Sequence, residues 1–198
     1  MPWCPKCGAA LSEHEIATEG YKEMTHTSIT AKFPLKDKKD EFLLVWTTTP
    51  WTLSSNTAAA VHPEEDYIKV KQNNNIYYLI EGRKEILKGK GKYEILETLK
   101  GKDMLGWEFH GPFDELPAQQ GVVHKIIPWE DVTDTEGTGI VHIAPGCGKE
   151  DHQLGKEHNL SVIAPIDQFG NYLEGFDWLS GRNVDEVVDD ILQNLREK

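Results

Sequence analysis

The sequence predicts a mainly β domain with peripheral helices, an α+β fold of the distorted β-barrel type. Short apolar runs, alternating or continuous, recur along the chain at strand length. Gly, Pro and Asn clusters punctuate them, and only two segments carry helical signals. No internal repeat or low-complexity tract interrupts this pattern.

Taken in order, residues 1–20 hold a Cys4-Pro5-Lys6-Cys7-Gly8 knuckle and a polar connector, and residues 21–198 form the main domain. Thr27 to Phe33 reads as a strand, with Ile29, Ala31 and Phe33 alternating against polar neighbours. Pro34 and the Lys/Asp run through Asp40 make a turn, and Phe42 to Thr47 is a buried strand. Tyr67 to Lys71 alternates, Asn73-Asn74-Asn75 turns a hairpin, and Ile76 to Ile80 returns. Further strands are expected at Tyr93 to Thr98, Val122 to Ile127 and Gly139 to Ile143, and a helix over 149–158. The clearest helix is last: Val184, Val187, Val188, Ile191, Leu192 and Leu195 share one face, with Asn183 as N-cap.

Charge and length narrow the function classes. The 198 residues carry a net charge of -12, and all of it falls in residues 101–198, which hold 7 basic and 19 acidic side chains. Such a chain is a poor non-specific binder of phosphate backbones, so nucleic-acid contact is expected from the neutral first half. Its basic runs are Lys36, Lys38 and Lys39, then Arg83, Lys84, Lys88, Lys90 and Lys92, and their first reading is a solvated face. No apolar run approaches the ~20 residues that span a bilayer, and no signal-peptide pattern opens the chain, so a cytoplasmic location is expected. Cys4 and Cys7 are half a zinc site, since a structural site takes four ligands and Cys147 stands alone. His14, another residue or a longer parent chain would complete it.

Two segments carry the chemistry. The first runs Trp46-Thr47-Thr48-Thr49-Pro50-Trp51-Thr52-Leu53-Ser54-Ser55-Asn56. Threonines are ordinary in strands, but Pro50 cannot donate to a ladder and ends the strand. Hydroxyls that can each donate and accept are therefore gathered where the chain leaves a sheet. The second runs from Gly137-Thr138-Gly139-Ile140-Val141-His142 through Ala144-Pro145-Gly146-Cys147-Gly148 to Asp151 and His152. Alone, His142 reads as a hydrogen-bonded core residue and Asp151 as a first-turn surface acid. Their joint placement around a glycine-rich loop makes them site candidates.

Together, these two segments and the Cys4/Cys7 knuckle resemble the editing domain (connective peptide 1) inserted into isoleucyl-tRNA synthetases, of the isoleucyl/valyl/leucyl class I family. The resemblance covers essentially the whole chain. It implies hydrolysis of valine misattached to tRNA(Ile), and of valyl-adenylate, by direct attack of a positioned water without a metal. One methylene separates the two amino acids, worth only ~1–3 kcal/mol in a pocket; isoleucine-versus-valine discrimination is itself the standard case behind that figure. By resemblance, Asp151 holds the substrate's α-ammonium group, and Thr48, Thr49 and Thr52 contact the ester or hold the water. Thr47 and Asn56 support the loop, Trp46 joins the substrate-binding set, and His142 lines the valine pocket. The partners implied are the tRNA(Ile) 3′ end, valyl-adenylate and the rest of a synthetase, whose synthetic domain alone would use ATP. That domain's His-Ile-Gly-His-like and Lys-Met-Ser-Lys-Ser-like motifs are not in this sequence, so an isolated domain or fragment is expected. Zinc would belong to Cys4 and Cys7 in the full-length parent. Two departures from the family pattern stand out: Ser54 replaces a frequent Pro, which would loosen the loop, and Cys147 replaces a bulkier residue in the pocket wall.

Two other readings remain open from the residues. A metal-dependent hydrolase would use His142, Cys147, Asp151, His152 or His158, although these spacings match no common zinc motif. A non-catalytic tRNA-binding module would rest on the knuckle and the N-terminal lysines.

Overall fold

A computed structural model of the chain describes residues 3–16, 28–89 and 91–198. Thr27, the end of the 1–20 connector with the boundary at 20/21, and Lys90 lie outside the described residues. At the N-terminus β1 (Trp3–Cys4) and β2 (Ala9–Ala10) pair antiparallel around the Cys-x-x-Cys turn, followed by a helical turn α1 (Glu13–Glu15). The Trp3 indole donates to the Gln168 carbonyl at 2.8 Å and ties this hairpin to the main domain.

The main sheet is mixed and curled. Its strands are β3 (Ile29–Pro34), β4 (Glu41–Thr47), β5 (Ala58–Val61), β6 (Asp66–Gln72), β7 (Asn75–Ile80), β8 (Tyr93–Lys100), β9 (Lys125–Pro128) and β10 (Val141–Ile143). The spatial order is β8-β6-β7-β4-β10-β5-β9, with β3 paired to β4 along residues 42–47 and beyond. A strand has two edges, so β7 and β10 share the other edge of β4, at its beginning and its end respectively. The pairs β4/β7, β4/β10 and β5/β9 are parallel and the rest antiparallel. Residues 107–110 bridge the gap between β9 and β3. Ile126 N donates to Trp107 O (2.9 Å), Phe109 N to His124 O (3.2 Å) and His110 N to Pro34 O (2.8 Å). The result is a half-barrel, as expected.

Burial on both faces explains the composition of the central strands. In β5, Ala59 and Val61 face the main core with Phe33, Leu43, Val45 and Phe109, while Ala58 and Ala60 face Ile127, Ile143 and Leu154. Leu154 belongs to α2 (Lys149–His158), the helix expected over these residues. A third cluster, centred on Ile68, Val70, Tyr77 and Leu79, fills the other side of the β6/β7 hairpin, whose turn uses Asn73 at φ 55°.

Of the boundaries that differ from expectation, three do so for an evident reason. The last helix, α3 (Val188–Glu197), starts four residues later than its apolar periodicity. Val184 packs on the core, but its N–H goes to Gly170 O (3.0 Å), and Asn183 pairs with Asn171, so Asn183 caps a turn and Val187 precedes the helix. β9 begins only at Lys125, because Val123 is exposed and His124 turns inward. β10 begins at Val141 because Gly139 sits at φ 70°.

Candidate functional site

The site arises where two strands part. β10 pairs with β5 through three residues but with β4 through one, Val141 opposite Trp46. Beyond Trp46 the β4 chain turns off into a 3-10 helix, Pro50–Ser55. Pro50 heads that helix, where no N–H donor is needed and its fixed φ fits. The parted strands leave a cleft of about 480 Å³. Trp46 to Thr49 with Trp51 and Thr52 form one wall, His142, Cys147, Gly148 and Asp151 another, and the loop from Trp129 to Gly139 the third.

The threonine hydroxyls are linked. Thr47 Oγ1 accepts from Thr49 N (3.1 Å), and Thr49 Oγ1 lies 3.4 Å from the hydroxyls of both Thr47 and Thr52. Thr52 Oγ1 is 2.8 Å from both Thr49 O and His142 Nε2. Asn56 settles the protons. Its Nδ2 donates to Ala58 O (2.8 Å), which can only accept, and this fixes the amide's orientation. The same Nδ2 then donates to His142 Nδ1 at 3.1 Å. His142 is therefore the neutral Nε2–H tautomer, donating to Thr52, whose own proton goes to Thr49 O. Burial pulls the His142 pKa down to about 4, consistent with an uncharged ring.

Asp151 lies in the first turn of α2, where the helix dipole favours a carboxylate. Its Oδ2 accepts from Ala144 N at 2.8 Å, and its residue lines the cleft. Burial raises its pKa above the usual carboxylate value, the Ala144 hydrogen bond opposes this, and Glu150 adds to it. The Cys147 thiol is pushed up to about 12 by burial, against a lowering influence from the Ser55 hydroxyl. It is a neutral wall residue rather than a thiolate.

Of the sequence candidates, Trp46, Thr47, Thr48, Thr49, Thr52, His142 and Asp151 all line the cleft. Thr48 is exposed and makes no hydrogen bond among the described residues. Asn56 is wholly buried and does not line the cleft; it acts through His142. Ser54 does not loosen its loop. Its hydroxyl donates to Trp51 O (2.9 Å) and meets the Tyr172 hydroxyl (3.3 Å), and Gln119 holds its carbonyl at 2.7 Å.

Sequence reasoning missed the third wall. Trp129, Asp131, Thr133 and Glu136 reach the cleft from a loop without periodicity, and the Trp beside acids and threonines was its one signal. Arg83, grouped with a basic run, instead pins that loop by donating to Gly137 O (3.1 Å) and Thr135 O (3.3 Å). Lys36 pairs with Glu108 and Lys84 with Glu81. The Lys38 ammonium lies over the Trp107 ring, 3.1 Å from its centroid.

The Cys4 and Cys7 side chains share a hydrogen bond that lowers the Cys4 pKa and raises that of Cys7. They can supply two zinc ligands, but no group of three or more His, Cys, Asp or Glu side chains suited to a metal occurs among the described residues. His142, Cys147, Asp151, His152 and His158 do not form one either.

The curled mixed sheet has the fold of the connective-peptide-1 editing domains of the class I aminoacyl-tRNA synthetases. The crystal structure of GlLeuRS-CP1 matches with a TM-score of 0.58 at 17% identity, covering 86% of this chain and 81% of that one. The P. knowlesi cytosolic leucyl-tRNA synthetase editing domain matches with a TM-score of 0.54 at 16% identity, covering 67% of this chain and 64% of that one. At these identities the likeness is one of fold. No protein-family model matches the chain. In sequence it is 43% identical over 211 residues to isoleucine–tRNA ligase of Pyrococcus horikoshii, across 100% of this chain and 20% of that protein. The chain belongs with the isoleucine–tRNA ligases as a homologue of one segment, spanning about a fifth of the length of the curated relatives it matches.

Proposed function

We propose that this domain proofreads for an isoleucine–tRNA ligase, hydrolysing valine from misacylated tRNA(Ile) and from valyl-adenylate. One observation carries the reading: a carboxylate and a linked set of threonine hydroxyls line the same small cleft, in a chain homologous to those ligases. Asp151 binds the substrate's α-ammonium by a charge-assisted hydrogen bond, which places the ester at the threonines. Thr48 and Thr49, the exposed hydroxyls, hold the ester oxygen and the attacking water. Water adds to the ester carbonyl, the bond to the terminal ribose oxygen breaks, and that oxygen takes up a proton, releasing valine and free tRNA.

No side chain in the cleft is built as a nucleophile with its base. His142 is neutral with both ring nitrogens engaged, and Cys147 keeps its proton. His142 instead limits the size of the amino-acid side chain, so isoleucine is excluded. Trp46 and Thr47 complete the substrate wall, and Thr52 fixes the His142 ring. The reaction needs no metal. In the full-length parent, zinc would sit at Cys4 and Cys7, and the synthetic domain would use ATP. The setting is the cytoplasm; no helix among the described residues is long and apolar enough to cross a membrane.

The test is to present Val-tRNA(Ile) and Ile-tRNA(Ile) to the domain and follow release of each amino acid. Valine is released selectively, and Asp151→Ala lowers that rate about 100-fold. Undiminished release by Asp151→Ala would remove the anchoring role, and equal release of both amino acids would remove the size filter.

A further inference from the structure

A second buried histidine stands behind the cleft without lining it. His124 immediately precedes β9 and is 2% exposed. Its Nε2 lies 3.0 Å from the carbonyl oxygen of Asn56, which can only accept, so the ring carries a proton on Nε2. Its Nδ1 faces Asp114 Oδ1 at 3.4 Å, and its ring lies beside Phe109, with centroids 5.4 Å apart. Gly111 closes over the pair: a Cβ there would lie 2.6 Å from His124 Cε1 and Nε2 and 2.4 Å from Asp114 Oδ1. Only glycine admits this approach.

Asn56 is thereby held at its backbone and at its side chain. Its N–H donates to Leu53 O (3.2 Å), its carbonyl accepts from His124, and its amide donates to Ala58 O and to His142 Nδ1. The His142 tautomer depends on that last bond, and the tautomer decides which group His142 presents to Thr52. A continuous path of contacts thus runs from Asp114 through His124, Asn56 and His142 to Thr52 and Thr49. Asp114 and Gly111 line a different cleft, between β3 and the end of α3, so the path crosses the domain.

We propose that His124 is a positioning residue for the candidate site: acting through Asn56, it holds His142 in one tautomer and one ring orientation. Its kinetic consequence rests on the proofreading reading, but its structural consequence does not. With the Asn56 carbonyl unheld, the amide tilts, and the His142 ring is free to exchange tautomers against Thr52.

The experiment records two-bond ring nitrogen–proton correlations of the chain labelled with 15N in its eight histidines, with His142→Gln assigning the His142 signals. The wild type gives the neutral Nε2–H pattern for His142 at pH 7. His124→Leu keeps bulk against Phe109 but has no donor, and His142 becomes a mixture of tautomers. His124→Gln restores an N–H toward Asn56 and with it the single tautomer. Gly111→Ala pushes on the His124 ring at Cε1 and Nε2 and moves the His142 signals in the direction of the leucine variant. A folded His124→Leu with His142 signals identical to wild type overturns the proposal, as does a glutamine variant indistinguishable from the leucine variant. In valyl-tRNA deacylation, His124→Leu lowers kcat about tenfold with KM unchanged, and His124→Gln recovers it. If the wild-type chain releases no valine, the proofreading reading fails, while the ring spectra still decide the role of His124.

Discussion

At the residue scale, burial disfavours the charged form of both His142 and Asp151, shifting their pKa values in opposite directions, and each leaves a mark on stability. The folded His142 pKa of about 4 lies below its ordinary value of 6.5. As pH falls, the unfolded chain takes up that proton first, so the stabilisation is full above pH 6.5 and is lost progressively towards pH 4. The loss is about 3 kcal/mol. Urea unfolding at pH 7 and pH 4.5 measures it, and His142→Gln flattens the difference. Deacylation, by contrast, has no break near pH 6.5 from this ring, because it is neutral on both sides. Asp151 has the other sign: its pKa is raised, so above the unfolded value the ionised carboxylate opposes folding. Asp151→Asn is then at least as stable as wild type at pH 7, and its melting midpoint rises while valine release falls. Burial of His142 was legible as the ordinary reading of a strand histidine, but the raised pKa of Asp151 was not. A histidine in a strand and an acid in a first helical turn acquire these properties only from what covers them.

At the element scale, what could be read was what short-range chemistry decides. Pro50 ends β4, Asn73 turns the hairpin, and residues 149–158 form α2. Long-range hydrogen bonds decided the rest. The start of α3 was misread because Val184 has the right periodicity but gives its N–H to Gly170. The third wall of the cleft has no periodicity to read. Its turn depends on Gly139, where a Cβ would lie 2.3 Å from Ile80 Cβ at a backbone φ of 70°. Gly139→Ala therefore combines a left-handed backbone penalty with a clash against a rigid, branched side chain. It lowers stability by about 3 kcal/mol, read by denaturant midpoint, and depresses valine release as well.

At the scale of the whole molecule, charge sets how the domain meets its substrate. A net -12 leaves little attraction for a polyanion, and several first-half cations already have partners in Glu108, Glu81 and Trp107. The third wall adds Asp131 and Glu136 beside the cleft. The chain alone is expected to bind uncharged tRNA no more tightly than the ~1–100 µM of non-specific contact at physiological salt, measured by filter binding or anisotropy. On the proofreading reading, the rest of a synthetase strengthens delivery of the reactive end. The seam where β10 enters between β4 and β5 also has a consequence in time. Trp46 and Ala60 leave a ribosome some eighty or more residues before Val141, the strand residue that joins them. Until then the chain holds an open slot with its inner edges unpaired, and closing so long a loop is a slow, entropically costly step. Thr52 and His142, 90 positions apart, can meet only after it closes. The cleft therefore cannot form until β10 has been made, long after its threonine wall.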